Sequence, residues 1–490
     1  MLRSATPPKG YSLDQGRLRR FYERRKFAPA WTSDPRAVAN AAIAVAILQG
    51  SDSDGLSPAT YHLDAIAAWQ HSNSPHATVE LDVLLTGSML AYIHDMRMGR
   101  VSADQAGFAV DLPSTGFDPV AFLTDALTDN RVSTLPERLA PPHPEYIRLK
   151  EALARYRKVA VDGGWPNLFG TRKIALGSAD PRIPALRRRL EMEGQGGQGD
   201  PSEEGLVEEI RRYQLHHGLE ADGIAGRRTL ESLNISASAR ADQIVANMER
   251  WRWLAQPFEE RYVEVNAADA TLIVMDRDKP VLTSRVITGK PATPTPIFKA
   301  AIVAVTVNPS WNIPETIASK EIRPKERLTP GYLDSQHIVA DLPGGGLRQL
   351  PGDDNALGHI KLEMPNRFNS YVHNTPAQVL FRQNDRHFSH GCIRAEQILP
   401  LASFVLSGDT TLAVDKIRDA IATGETQRFS LERPVPIYVL YWTAMVDEDG
   451  VVEFRRDVYG WDAKLLAALG APSPTGRMSM LTECSNSGRG

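Results

Sequence analysis

The run His387-Phe388-Ser389-His390-Gly391-Cys392-Ile393-Arg394-Ala395-Glu396 sets one of only two cysteines among groups that can make a thiol react. A thiol attacks as its thiolate, so it needs a base or cation nearby, a backbone donor for the developing oxyanion, and room for a substrate. His390 and Arg394 supply positive potential, and Gly391 lets the backbone approach closely. A further histidine stands 19 residues upstream of Cys392, in Ser370-Tyr371-Val372-His373-Asn374-Thr375-Pro376. That spacing suits a hairpin or meander returning on itself. The pattern points to Cys392 as a nucleophile with a histidine base.

Three other readings compete. A lone cysteine is often a small buried hydrophobe. His387, His390 and Cys392 could be three zinc ligands, although no Cys-x-x-Cys or second His pair supplies structural spacing. A disulfide to Cys484, in the polar tail, would silence the thiol.

Ser389-His390-Gly391-Cys392-Ile393-Arg394, with His373 upstream, resembles the active-site signature of the L,D-transpeptidases that remodel bacterial peptidoglycan. Val286-Ile287-Thr288-Gly289-Lys290, followed by Thr293-Pro294-Thr295-Pro296, is similar to that family's strand and turn ahead of the site. Asn308-Pro309-Ser310-Trp311-Asn312-Ile313-Pro314 and Asn355-Ala356-Leu357-Gly358 resemble its large multidomain branch, in which a long insertion caps the active site. Asn374 departs from the pattern, standing where Gly, Ser or Asp commonly follows the histidine.

The resemblance implies that Cys392 attacks the L-centre carbonyl of the third residue of a tetrapeptide stem, expels D-alanine and forms a thioester. An acceptor amine then resolves the thioester into a cross-link between diamino acids. Water as acceptor would make the protein a carboxypeptidase, and a disabled site would leave a peptidoglycan-binding protein. The expected roles are His373 as general base, His390 shaping the turn, and the backbone N–H groups around Gly391 and Cys392 receiving the oxyanion. Arg394, Ser389, Tyr371, Asn374 and Trp311 are the expected substrate contacts, with core packing as the alternative for Tyr371 and Trp311. Carbapenem acylation, a periplasmic or cell-envelope location, and no metal or organic cofactor are also implied.

The rest of the chain must position these groups. At 490 residues it exceeds what one core usually holds, so several domains are expected. Apolar and charged fractions of 42% and 23% suit an ordinary globular protein, and a net charge of −3 leaves no electrostatic footprint for nucleic acid. No apolar run reaches the roughly 18 residues a bilayer span needs; the richest, Val38 to Leu48, is interrupted by Asn40. Met1 to Gly10 lacks the apolar core of a secretory signal, so an export signal or anchor is expected upstream.

The expected fold is multidomain α+β. Residues 1–165 read as a helical scaffold, with Leu18, Phe21 and Tyr22 on one helix face and an Ala-rich buried helix through Val38–Leu48. Residues 166–235 read as three short helices, the first capped by Asp180 and the second striped by Leu206, Ile210 and Tyr213. This module resembles a peptidoglycan-binding domain, with a helical spacer as the alternative. From 236 to 470 the period becomes two, predicting a mainly β catalytic domain with a capping insertion at 311–350 and a late hairpin of Ile437–Trp442 with Val451–Phe454. Residues 471–490, rich in Ser, Gly and Pro, read as a flexible tail.

Overall fold

The computed structural model describes residues 13–70, 75–103, 106–113, 116–170, 172–176, 180–194, 202–254, 257–411 and 413–470. Cys484 and the rest of the 471–490 tail lie outside them, as do Met1 to Gly10 and most of the Gly-rich loop between the first two helices of the module.

The opening third is helical because its apolar residues recur at helical spacing around one buried carboxylate. Leu18, Phe21 and Tyr22 are fully buried on the Gln15–Arg24 helix. Asp82, on the Pro75–Met98 helix, accepts hydrogen bonds from Tyr22 Oη (2.8 Å) and from the Ala30 and Trp31 N–H groups (2.9 and 2.8 Å). The Pro35–Gln49 helix, where a buried helix was expected, buries Ala37, Ala41, Ala44 and Leu48 on one face and leaves Val38 57% exposed. This region also contributes strand β1 (Val110–Asp111) to the large sheet.

The three-helix module comprises Ile183–Met192, Glu203–His216 and Arg227–Leu233 around Leu186, Leu190, Leu206, Ile210, Tyr213, Leu230 and Leu233. Asp180 Oδ1 accepts the Arg182 N–H one turn before the first helix begins, so it braces the approach and is not the cap residue itself. Gln214 ties the following turn by donating to Asp222 and accepting from the Gly223 N–H, both at 2.8 Å.

Period-two sequence produces the β domain. Strands β2 (Arg261–Asn266), β3 (Thr271–Asp276), β4 (Lys279–Gly289) and β5 (Ile297–Val307) come first. The insertion adds β6 (Trp311–Asn312), β7 (Ile338–Leu342) and β8 (Gly346–Gln349), a small sheet with its own core of Ile313, Ala318, Ile322, Ile338 and Leu347. Then follow β9 (Ile360–Glu363), β10 (Val372–His373), β11 (His387–Ser389), β12 (Ile393–Ala395) and β13 (Gln427–Leu440). The order β5-β13-β2-β3-β4-β12-β10-β9 returns to β5 through the β5–β9 pairing, so the sheet closes on itself. Two expectations change here. Ile437–Leu440 lies inside β13 between β2 and β5, and the late hairpin is made instead by β14 (Ala444–Val446) and β15 (Val452–Phe454). Second, β10 and β12 run parallel, because β11 carries the chain across to β4 before it returns; they form no hairpin.

The Ala237–Arg252 helix joins the parts. Trp251 stacks on Trp442 of the β domain (4.6 Å between centroids) and on His143 of the scaffold (4.4 Å). Its charged residues are buried in pairs: Arg250 with Asp462 (2.6 Å) and Arg252 with Glu249 (2.8 Å), the Glu249 carboxylate also accepting the Val101 N–H. Because an unpaired charge at such depth is costly, the Arg250–Asp462 pair ties the helix to the C-terminal segment, while the Glu249 bond to the Val101 N–H ties it to the scaffold.

Candidate active site

Strand alternation decides which side chains meet. In the parallel pair of β10 and β12, Val372 is opposite Ile393 and His373 opposite Arg394, and the Ile393 N–H donates to the Tyr371 carbonyl at 3.0 Å. Val372, Ile393 and Ala395 are fully buried in the barrel core. With a period of two, Tyr371, His373, Cys392 and Arg394 therefore project together from the opposite face. They open into a cleft of about 920 Å³ that Trp311 and the insertion roof over. A separate cavity of about 400 Å³ between the three-helix module and the C-terminal segment shares no residue with it.

The turn carrying Cys392 is held by side chains from three directions. Ser389 Oγ accepts the Gly391 N–H (3.1 Å) and donates to the Cys392 carbonyl (2.5 Å). Thr295 Oγ1 donates to the Gly391 carbonyl (3.1 Å) while accepting the Gly289 N–H (2.8 Å), and Tyr459 Oη donates to the Gly289 carbonyl (2.8 Å). Gly289 is required, since a Cβ there would lie 2.1 Å from the Thr293 carbonyl oxygen. Gly391 has φ of +109°, a conformation that only glycine adopts readily.

The thiol itself is free; the Tyr371 hydroxyl and backbone N–H bear on it, and the Trp311 indole bears on Tyr371. Burial pushes the thiol pKa up, and the Tyr371 donors, Lys361 and Arg394 pull against it. Burial, then the Arg394 charge, lowers His373 to about 3, with the Asn374 and Leu357 carbonyls opposing. The imidazole is 4% exposed, and its Nδ1 has no hydrogen-bond partner. Arg394 Nε is likewise buried and unpartnered.

Two expected site residues have partners other than the thiol, His390 from the wall of the same cleft and Asn374 from outside it. His390 Nε2 lies 2.6 Å from Glu321 Oε1 of the insertion and 3.3 Å from Lys290 Nζ, so it meets the cap and not the thiol. The Asn374 side chain packs against Gly358 and accepts from the Thr375 N–H and Gln378, lining a shallow pocket on another side; only its carbonyl bears on His373. His387 Nδ1 bonds Thr288 Oγ1 at 2.8 Å, and among the described residues no three His, Cys, Asp or Glu side chains converge for a metal.

Residues 260–415 match the family model of the L,D-transpeptidase catalytic domain. The chain carries an L,D-transpeptidase catalytic domain. Residues 16–153 match "Scaffold domain" and 180–233 match "Putative peptidoglycan binding domain". A curated Haemophilus influenzae protein named "Putative L,D-transpeptidase" is 30% identical over 205 residues, covering 38% of this chain and 41% of that protein. Among solved structures, the L,D-transpeptidase from Mycobacterium smegmatis is 17% identical over 37% of this chain and 58% of its own, with a TM-score of 0.20. The L,D-transpeptidase (Yku) from Stackebrandtia nassauensis is 14% identical over 56% of this chain and 97% of its own, with a TM-score of 0.22.

Within the L,D-transpeptidase domain, three residues around the site escaped the sequence reading. Lys361 stands opposite His373 on β9. Thr295 belongs to a run noted only for its likeness, and its bond to Gly391 appears once the turn is folded. Glu321 touches His390 from an insertion whose contacts no local pattern encodes.

Proposed function

We propose that the protein is a peptidoglycan L,D-transpeptidase in which Cys392 is the nucleophile and His373 the proton-transfer group. The observation that carries this reading is the projection of Tyr371, His373, Cys392 and Arg394 from one face into a roofed cleft, inside the region that matches the catalytic domain. Burial disfavours the charged forms of both thiol and imidazole, so the thiolate forms as attack proceeds. His373 takes the thiol proton, and the sulfur adds to the L-centre carbonyl of the stem's third residue. The intermediate collapses as His373 protonates the departing D-alanine amine. An acceptor amine then attacks the thioester, its proton passes to His373, and the sulfur leaves and recovers that proton.

The oxyanion falls to the Cys392 N–H, because the Gly391 N–H is already taken by Ser389 Oγ. Arg394, with a buried unpaired Nε, suits a stem carboxylate. Tyr371 serves the thiol, Trp311 acts on it through Tyr371, and both line the donor's path. Donor tetrapeptide and acceptor amine are the partners, carbapenems acylate the same sulfur, and the location is the cell envelope. No helix among the described residues is long and apolar enough to cross a membrane.

Intact-protein mass spectrometry with a purified disaccharide tetrapeptide tests this. A thioester adduct and dimeric muropeptide from wild type, and neither from Cys392→Ala, is the expected result. Tripeptide and D-alanine without dimer would move the assignment to carboxypeptidase. No adduct and no product, with sacculus binding intact, would leave a binding protein.

A further inference from the structure

We propose that Lys361 is a positioning residue for the Cys392 thiolate, acting through the Tyr371 ring and from its place in register beside His373. The proposal rests on Cys392 being the reacting thiol. Strand pairing puts His373 opposite Lys361 on one side and opposite Arg394 on the other, so the imidazole sits between two cations. Lys361 Nζ lies 4.4 Å from the centroid of the Tyr371 ring, whose hydroxyl bears on the sulfur. The Tyr371 and His373 rings are themselves 5.6 Å apart. A cation over an aromatic face is held by the ring quadrupole, and it draws electron density from the ring, which makes the hydroxyl a stronger donor.

Lys361 makes no ion pair or side-chain hydrogen bond among the described residues. The acid on its own strand, Glu363, is engaged elsewhere: it accepts from Thr306 Oγ1 at 2.6 Å and from Arg428 at 2.9 Å. The Lys361 charge reaches Glu363, which those two partners already hold, and it reaches Tyr371, His373 and the sulfur as well. Its effects agree in direction. It favours the thiolate over the thiol, and it disfavours a protonated His373, keeping the imidazole ready to accept a proton. Lys361 does not line the cleft, so it acts through Tyr371 and the field and makes no contact with substrate.

The test is the pH dependence of iodoacetamide alkylation, measured on the full-length protein and quantified on the Cys392-bearing peptide. Lys361→Met and Lys361→Gln remove the charge; Lys361→Arg keeps it over the ring. Both neutral variants should move the alkylation midpoint up by about one pH unit, which is about tenfold slower labelling below the midpoint. Lys361→Arg should stay within about 0.3 unit of wild type. The proposal is overturned if a folded neutral variant, by unchanged melting, gives the wild-type profile. It is equally overturned if all three variants lose turnover alike with no shift in the midpoint, since that pattern belongs to a purely structural lysine. Alkylation needs no stem peptide, so failure of the transpeptidase assignment would be seen separately, as absent muropeptide product with the lysine effect intact.

Discussion

Ser389→Ala removes the one side chain that closes both ends of the nucleophile's turn. The hydroxyl is 1% exposed, accepts the Gly391 N–H and donates to the Cys392 carbonyl. Alanine leaves two backbone groups without partners, and each such buried group costs about 1–3 kcal/mol. The turn cannot swing out freely to reach water, because Thr295 and Ser370 still hold the Gly391 carbonyl at 3.1 and 3.3 Å. A total of about 2–6 kcal/mol follows, which for a domain of roughly 150–250 residues lowers the melting temperature by about 4–24 °C. Any part of that cost relieved by a shift of Cys392 should reappear as slower chemistry, since a displacement of about 1 Å can cost about 100-fold in rate. Differential scanning fluorimetry gives the first quantity, and single-turnover acylation by a carbapenem, followed by intact mass, gives the second. A Ser389→Ala protein that melts within about 1 °C of wild type and acylates within about twofold would refute the account of the turn.

Two further outcomes follow from the same geometry. His390→Gln should slow acylation less than about tenfold and leave stability within about 1 kcal/mol, because its partner Glu321 is a half-exposed ion-pair contact on the cap, whereas His373→Gln should nearly abolish acylation; paired rate measurements on the two variants decide this. His143, half-buried and stacked on Trp251, is lowered by burial to about 4, and its Nδ1 accepts the Glu145 N–H that starts the Pro144–Val161 helix. Its unfolded pKa is higher than its folded one, so its contribution is complete above about pH 6.5 and is lost as pH falls towards 4. His143→Phe should therefore be less stable at pH 7, for want of the cap, yet lose less stability between pH 6.5 and 4, as read from urea midpoints across that range.

Much of the site was legible because the nucleophile's surroundings are local. Ser389, Gly391, Cys392 and Arg394 lie within six residues, and alternation alone puts Cys392 with Arg394 and Tyr371 with His373. The buried face of Leu18, Phe21 and Tyr22 and the stripe of Leu206, Ile210 and Tyr213 were readable for the same reason, since helical spacing is a property of neighbours in the chain. Ile437–Leu440 looked like half of a hairpin because a strong apolar run does not name its partner; burial between β2 and β5 chose a different one.

What the sequence by itself determined is the chemistry available and the face each group takes: a thiol, an imidazole and a guanidinium on alternating strands, with a glycine where φ is positive. Only the tertiary structure decided which groups act on one another. It ran β10 parallel to β12, joined His390 to the cap, spent the Gly391 N–H on Ser389, and set Lys361 over Tyr371. Those choices depend on the register between segments far apart in the chain. Register is settled by the burial of whole strand faces in a common core, which no local stretch of residues contains.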